Sequence, residues 1–145
     1  MSNATPVRRT ASASVPPGAG APTPASAAEA RDAVAHLLAT EFCSFDEESR
    51  SDVVVADALL ITSELVTNAI RHGGGVAGFS ARITEEGLRI TVDDSVPDFP
   101  VLREQTGAQL GEGGYGWQLV RRLASEVSVT AHGEGKRVVV VVALF

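Results

Sequence analysis

Only one cysteine, Cys43, occurs in the 145 residues. That excludes an internal disulfide and a cysteine-based metal cluster, and it fits a reducing compartment with Cys43 as a packed thiol. No run approaches the ~20 apolar residues that a bilayer span requires. Arg8-Arg9 is followed by Ser, Pro and Gly instead of the apolar core of a secretory signal. Basic residues are in the minority, 12 against 18 acidic, for a net charge of -6. A nucleic-acid backbone would therefore repel the chain, and counterion release would contribute little to binding. These absences predict a soluble, cytoplasmic protein with neither nucleic acid nor membrane as partner. Metal-ligand spacing is missing as well, since His36, His72 and His132 fall on three separate elements. Gly135-Lys136 lacks the glycine spacing and the hydroxyl residue of a P-loop, which leaves Lys136 as a hairpin-turn lysine.

The length suits one domain, able to bury about two-thirds of its unfolded surface. Residues 1–25 are rich in Ala, Ser, Thr, Pro and Gly. Such a segment cannot offset its ordering entropy by burial, so it reads as a flexible N-terminal arm, with 10–15 as a candidate edge strand. Residues 26–145 carry the periodic patterns of a folded domain, and no internal repeat is present.

A first helix is expected over about residues 28–40, with Ala30, Val34, Leu37 and Leu38 on one stripe. A longer one should run over 53–72, capped by Asp52 and stopped at Gly73-Gly74-Gly75. Ala77, Phe79, Ala81 and Ile83 then alternate with small or polar residues, and Leu88, Ile90 and Val92 repeat the pattern after a turn. This period marks a hairpin. A Pro- and Gly-containing loop precedes a helix over about 116–125 that presents Leu119, Val120 and Leu123. A second hairpin ends in the apolar run 138–145, which reads as a central strand covered on both faces. Trp117, Phe79 and Phe145 are most simply core residues. Segregated helices and mostly antiparallel strands define an α+β fold, a two-layer α/β sandwich with a mixed, mostly antiparallel sheet covered on one face by helices.

Three features carry chemistry. On the long helix Asp57, Glu64, Asn68 and Arg71 share the side opposite the apolar stripe, with Glu64 and Asn68 one turn apart. A solvated face explains this pattern, although Val53 and Leu60 interrupt it. Asp94 shares the parity of Leu88, Ile90 and Val92. It is either a buried carboxylate able to accept a hydrogen bond from the exocyclic amine of a base, or the first residue of a turn toward Pro97. Gly111-Glu112-Gly113-Gly114-Tyr115-Gly116 opens a helix, where free backbone amides bind phosphate. The same six residues match the dinucleotide fingerprint formally, but no strand pattern precedes them. A plain flexible loop is the other reading.

Taken in this order, residues 28–145 resemble the ATPase superfamily of gyrase, histidine kinases and the MutL repair proteins (GHKL). Glu64-Leu65-Val66-Thr67-Asn68-Ala69-Ile70-Arg71-His72 resembles its N box. Asp94 stands where the adenine-reading aspartate is expected, and Gly114-Tyr115-Gly116 is similar to its glycine box. The resemblance implies the Bergerat ATP-binding fold with ATP and Mg2+ as cofactors. Asn68 would be the metal ligand and Glu64 the catalytic carboxylate, with Asp94, Gly114, Gly116, Arg71, His72 and Arg103 as further nucleotide contacts. Residues 99–113 would form a lid. Within the superfamily the short form with Asp-x-x-Pro after the strand is most similar to the anti-sigma-factor serine kinases. That implies transfer of the ATP γ-phosphate to a serine of an antagonist protein, sequestration of a sigma factor, and pairing of two copies. Two departures stand out. Asp94-Ser95-Val96-Pro97-Asp98 lacks both glycines of the usual Asp-x-Gly-x-Gly, and Lys136-Arg137 replaces the threonine often found at the start of the last strand. They motivate the alternative of a catalytically inactive binding module of the same fold. A nicotinamide-dependent enzyme built on a parallel sheet is a third reading.

Overall fold

The computed structural model describes residues 7–10, 23–42, 48–97 and 114–144. Its elements in chain order are β1 (Val7–Thr10), α1 (Ala27–Glu41), α2 (Glu48–His72), β2 (Val76–Thr84), β3 (Gly87–Asp94), α3 (Gly114–Leu123), β4 (Glu126–His132) and β5 (Gly135–Val142). Helix, helix, hairpin, helix and hairpin follow one another as the sequence patterns require.

Residue type accounts for most boundaries. Ser26, in extended conformation, caps α1 by accepting from the Glu29 N–H at 3.2 Å. At the other end of the helical pair Gly74, at φ 75, is the left-handed residue that ends α2, while the Gly75 N–H donates to the Ala69 carbonyl. The β4–β5 hairpin turns on Gly133, at φ 59. Several boundaries differ from expectation. The long helix starts at Glu48, not after an Asp52 cap, since residues 48–51 contain no helix breaker. The third helix spans Gly114–Leu123, two residues earlier than expected, so both glycines fall in its first turn. A strand is present at Val7–Thr10, and of the expected edge strand over 10–15 only Thr10 lies within the described residues. A bulge between Val76 and Gly78 takes Ala77 out of the alternation and leaves it exposed. Cys43, Phe145 and residues 1–6 and 11–22 of the arm lie outside the described residues.

One five-stranded sheet, ordered β1-β4-β5-β3-β2, forms one layer. β2, β3, β5 and β4 pair antiparallel, and among the described residues only β1 runs parallel, to β4. This α+β sandwich removes the nicotinamide reading, which needed a parallel sheet. Register aligns apolar residues into rows across the sheet: Phe79, Val92, Val138 and Val129 in one, Ala81, Ile90, Val140 and Val127 in the next. They share a core with Ala58, Ile61, Leu65, Val66 and Ala69 of α2 and Val120 of α3. Each fully buried Val, Ile or Leu contributes about 1.5–3 kcal/mol. All eight residues of β5 are buried, the five valines Val138–Val142 as an unbroken apolar run demands, together with Gly135, Lys136 and Arg137. By length and a mean hydropathy of 1.7, Asp52–His72 alone would pass for a bilayer span, contrary to the expectation that no segment would. Of its apolar residues Ala58, Ile61, Leu65, Val66 and Ala69 build this core, while Val53, Leu60 and Ile70 are exposed.

Candidate functional site

The site forms where the C-terminal ends of α2 and β3 meet. The Ser95 N–H donates to the Gly73 carbonyl at 2.8 Å, tying the residue after β3 to the residue after α2. Gly73 is close enough that a Cβ there would collide with the Asp94 carboxylate. Asp94 is the last residue of β3, on the helix-facing side, and it is 7% exposed. Asp94 is therefore a buried carboxylate. The turn alternative holds a share of truth, because Oδ1 accepts the Val96 N–H at 3.1 Å.

Farther back along α2, Glu64 and Asn68 are both half-buried. A Cβ on Gly116 would collide with the Glu64 carboxylate, so the polar face of α2 and the first turn of α3 are in direct contact. Glu64, Asn68 and Gly73 thus occur in that order along one helix, nine residues or about 13 Å from first to last at 1.5 Å per residue. One carboxylate lies beside a helix start, one amide a turn later, and a buried carboxylate at the far end. Of the remaining candidates, Arg71 and His72 are exposed in the last turn of α2. Gly114 begins α3. Arg103 and residues 99–113 lie outside the described residues.

Two cations, Lys136 and Arg137, complete the region, and sequence reasoning assigns the first to the hairpin turn. Lys136 is not a turn residue. The two-residue turn ends at Glu134, and a Cβ on Gly135 would collide with the Asp94 carbonyl, which brings the next residue alongside the Asp94 side chain. Lys136 is 6% exposed, its Nζ lies 2.6 Å from Asp94 Oδ2, and it donates to the Val96 carbonyl at 3.1 Å. Its neighbour Arg137 sits directly opposite Asp93 and faces away from the helices. There Nε and Nη2 donate to Oδ1 and Oδ2 of Asp93 at 2.7 and 3.0 Å, a bidentate, charge-assisted pair. His132 Nε2 lies 3.1 Å from Arg137 Nη2. A cavity of about 250 Å³ opens at this end of the sheet, lined by Asp93, Asp94, His132 and Glu134 among others. It reaches Asp94 but not Glu64 or Asn68. A signal for both pairs was present in the sequence: Lys136-Arg137 opens an otherwise apolar strand, and Asp93-Asp94 closes its neighbour. Antiparallel register brings such runs together.

The donor set suits a nucleotide carrying magnesium. The cation prefers few protein ligands and one amide oxygen suffices, the helix start offers backbone amides to phosphate, and a carboxylate beside it can take a proton. Gly73 and Gly116 let the Asp94 and Glu64 carboxylates lie against the backbone, since a Cβ at either position would collide with them. Residues 20–142 match the family model described as a histidine kinase-like ATPase domain. No curated protein and no solved structure matches the chain.

Proposed function

The chain belongs to the histidine kinase-like ATPase domain family, and on that premise we propose that it is an ATP-binding regulatory protein-serine kinase of the anti-sigma-factor type. Family membership implies ATP binding. The finer reading draws on one observation above all, the contact of Glu64 with Gly116 one turn from Asn68, which sets a carboxylate and an amide beside a helix start. When bound, magnesium–ATP supplies the γ-phosphoryl group that passes to a serine oxygen of an antagonist protein, leaving ADP. Asn68 provides the one protein ligand to the metal. The backbone amides of the first turn of α3 hold phosphate oxygens, and Asp94 faces the base. Glu64 orients the serine hydroxyl and accepts its proton. Arg71, His72 and Arg103 are the outer phosphate contacts in this reading. Sequestration of a sigma factor, release by the phosphorylated antagonist, pairing of two copies and a cytoplasmic location come from the family resemblance alone.

The test is label transfer from γ-labelled ATP, with magnesium, to a serine of candidate antagonist proteins. Transfer should disappear in Glu64→Gln while ATP affinity by calorimetry is kept, and both should fall in Asn68→Ala. Undiminished transfer in Glu64→Gln would remove that carboxylate from the chemistry. A binding module without catalysis is favoured by one observation, the engagement of Asp94 by Lys136. Tight partner binding without ATP, by a protein that transfers no label, would establish that reading.

A further inference from the structure

Asp94 and Lys136 together pose a question that the nucleotide reading leaves open. A carboxylate set to read the exocyclic amine of a base draws its strength from charge, because a hydrogen bond to an ionised acceptor is about twice as strong as one between neutral groups. Here that charge is already matched. The Lys136 ammonium lies 2.6 Å from Oδ2, and both side chains are less than a tenth exposed, 8% and 5%. Oδ1 is engaged by the Val96 N–H. Lys136 is held in place by a second acceptor, the Val96 carbonyl at 3.1 Å. On the α2 side the carboxylate abuts Gly73 closely enough to leave no room for a Cβ. An arriving amine thus meets an acceptor with both oxygens in use and its negative charge compensated from within the chain.

We propose that Lys136 is a specificity-determining residue of the nucleotide site: by holding the Asp94 carboxylate it silences recognition of the exocyclic amine, so that affinity comes from the phosphates and metal and the base is read weakly. This rests on the reading of Asp94 as the residue that faces the base. It assigns the ion pair a consequence distinct from mere stabilisation, since an amine-bearing purine and one without the amine bind nearly alike while Lys136 is present. Replacing the ammonium by a neutral group restores an unmatched carboxylate, and the amine regains about the tenfold that separates a charge-assisted from a neutral hydrogen bond.

The experiment is calorimetry of the full chain with magnesium and two probes, ATP and purine riboside triphosphate, which differ only in the exocyclic amine. In wild type the two dissociation constants should agree within about threefold. In Lys136→Met ATP should become the preferred ligand by about tenfold. Lys136→Gln keeps a neutral donor to Asp94, so no bare carboxylate is left in the interior. It should shift the ratio the same way, and it serves if the methionine variant folds poorly. A wild type that already prefers ATP tenfold, or variants whose ratio does not move, overturns the inference and leaves the nucleotide site standing. Failure of wild type and both variants to bind either probe overturns the site reading itself, and the inference with it.

Discussion

Replacing Arg137 by methionine should cost this fold a large part of its stability, and the structure says why. Arg137 and Asp93 are directly opposite in the β3–β5 ladder, joined by two hydrogen bonds of 2.7 and 3.0 Å, and their side chains are 7% and 5% exposed. Asp93 also overlies β2 so closely that a Cβ on Gly78 would lie 2.8 Å from Oδ2. Methionine keeps most of the volume and removes the charge, leaving a carboxylate in the interior with His132 Nε2, 3.6 Å away, as its nearest basic group. Breaking a buried pair from one side costs about 3–5 kcal/mol, against a total of about 5–15 kcal/mol for a domain of this kind. Urea denaturation followed by far-ultraviolet circular dichroism near neutral pH measures the loss. Asp93→Asn combined with Arg137→Met removes both charges and should fall well short of the sum of the single losses, because neither charge is then stranded. A single-variant loss under about 1 kcal/mol, or strict additivity in the double variant, would refute the claim that the two buried side chains depend on each other.

Two further outcomes follow from local geometry. Gly116→Ala ordinarily favours a helix by up to about 1 kcal/mol, but here the new Cβ forces the Glu64 carboxylate aside, so that gain should be largely cancelled. A melting temperature raised by the full helix gain would show that Glu64 and α3 are not in contact. Ser26→Ala removes the side-chain acceptor of the Glu29 N–H and should lower stability by about 1 kcal/mol, read as a shift in denaturation midpoint at constant slope. No change in midpoint would mean that water replaces the cap without penalty.

Periodicity made the architecture legible. The stripe on α2 and the alternation in β2 and β3 follow from which residues must leave water, and α2, β3 and the apolar run of β5 were legible for that reason. Ends were harder, since a helix can begin at any residue without a breaker, and nothing at 48–52 in the sequence separates Glu48 from Asp52 as the start. The bulge at Val76 was hidden for a related reason: an extra residue in one strand is a property of the pairing, and Ala77 fits an alternating pattern perfectly well until its partner strand is known.

The candidate site divides along the same line. Asp94 could be singled out because an acid on the covered side of a strand breaks the local pattern, whereas Glu64 and Asn68 fit a solvated helix face and stood out only through the resemblance to the N box. Lys136 broke a pattern too, a charge at the head of an apolar strand, but its meaning depends on a residue 42 positions earlier in the chain. In the antiparallel ladder Asp93 faces Arg137, and the next step brings Asp94 beside Lys136. Successive residues of a strand point to opposite faces, so one acid–base pair is sent to the helix side and the other to the far side. Two adjacent acids and two adjacent cations therefore become two separate pairs with separate consequences. The far pair fastens the sheet, and the near pair sits where the nucleotide reading places the base. A variant that exchanges the order of Lys136 and Arg137 would preserve composition, charge and register while delivering the longer, forked side chain to Asp94. On the proposal that Lys136 governs base recognition, the preference for ATP over purine riboside triphosphate should then change, because the cation at that position sets the charge left on Asp94.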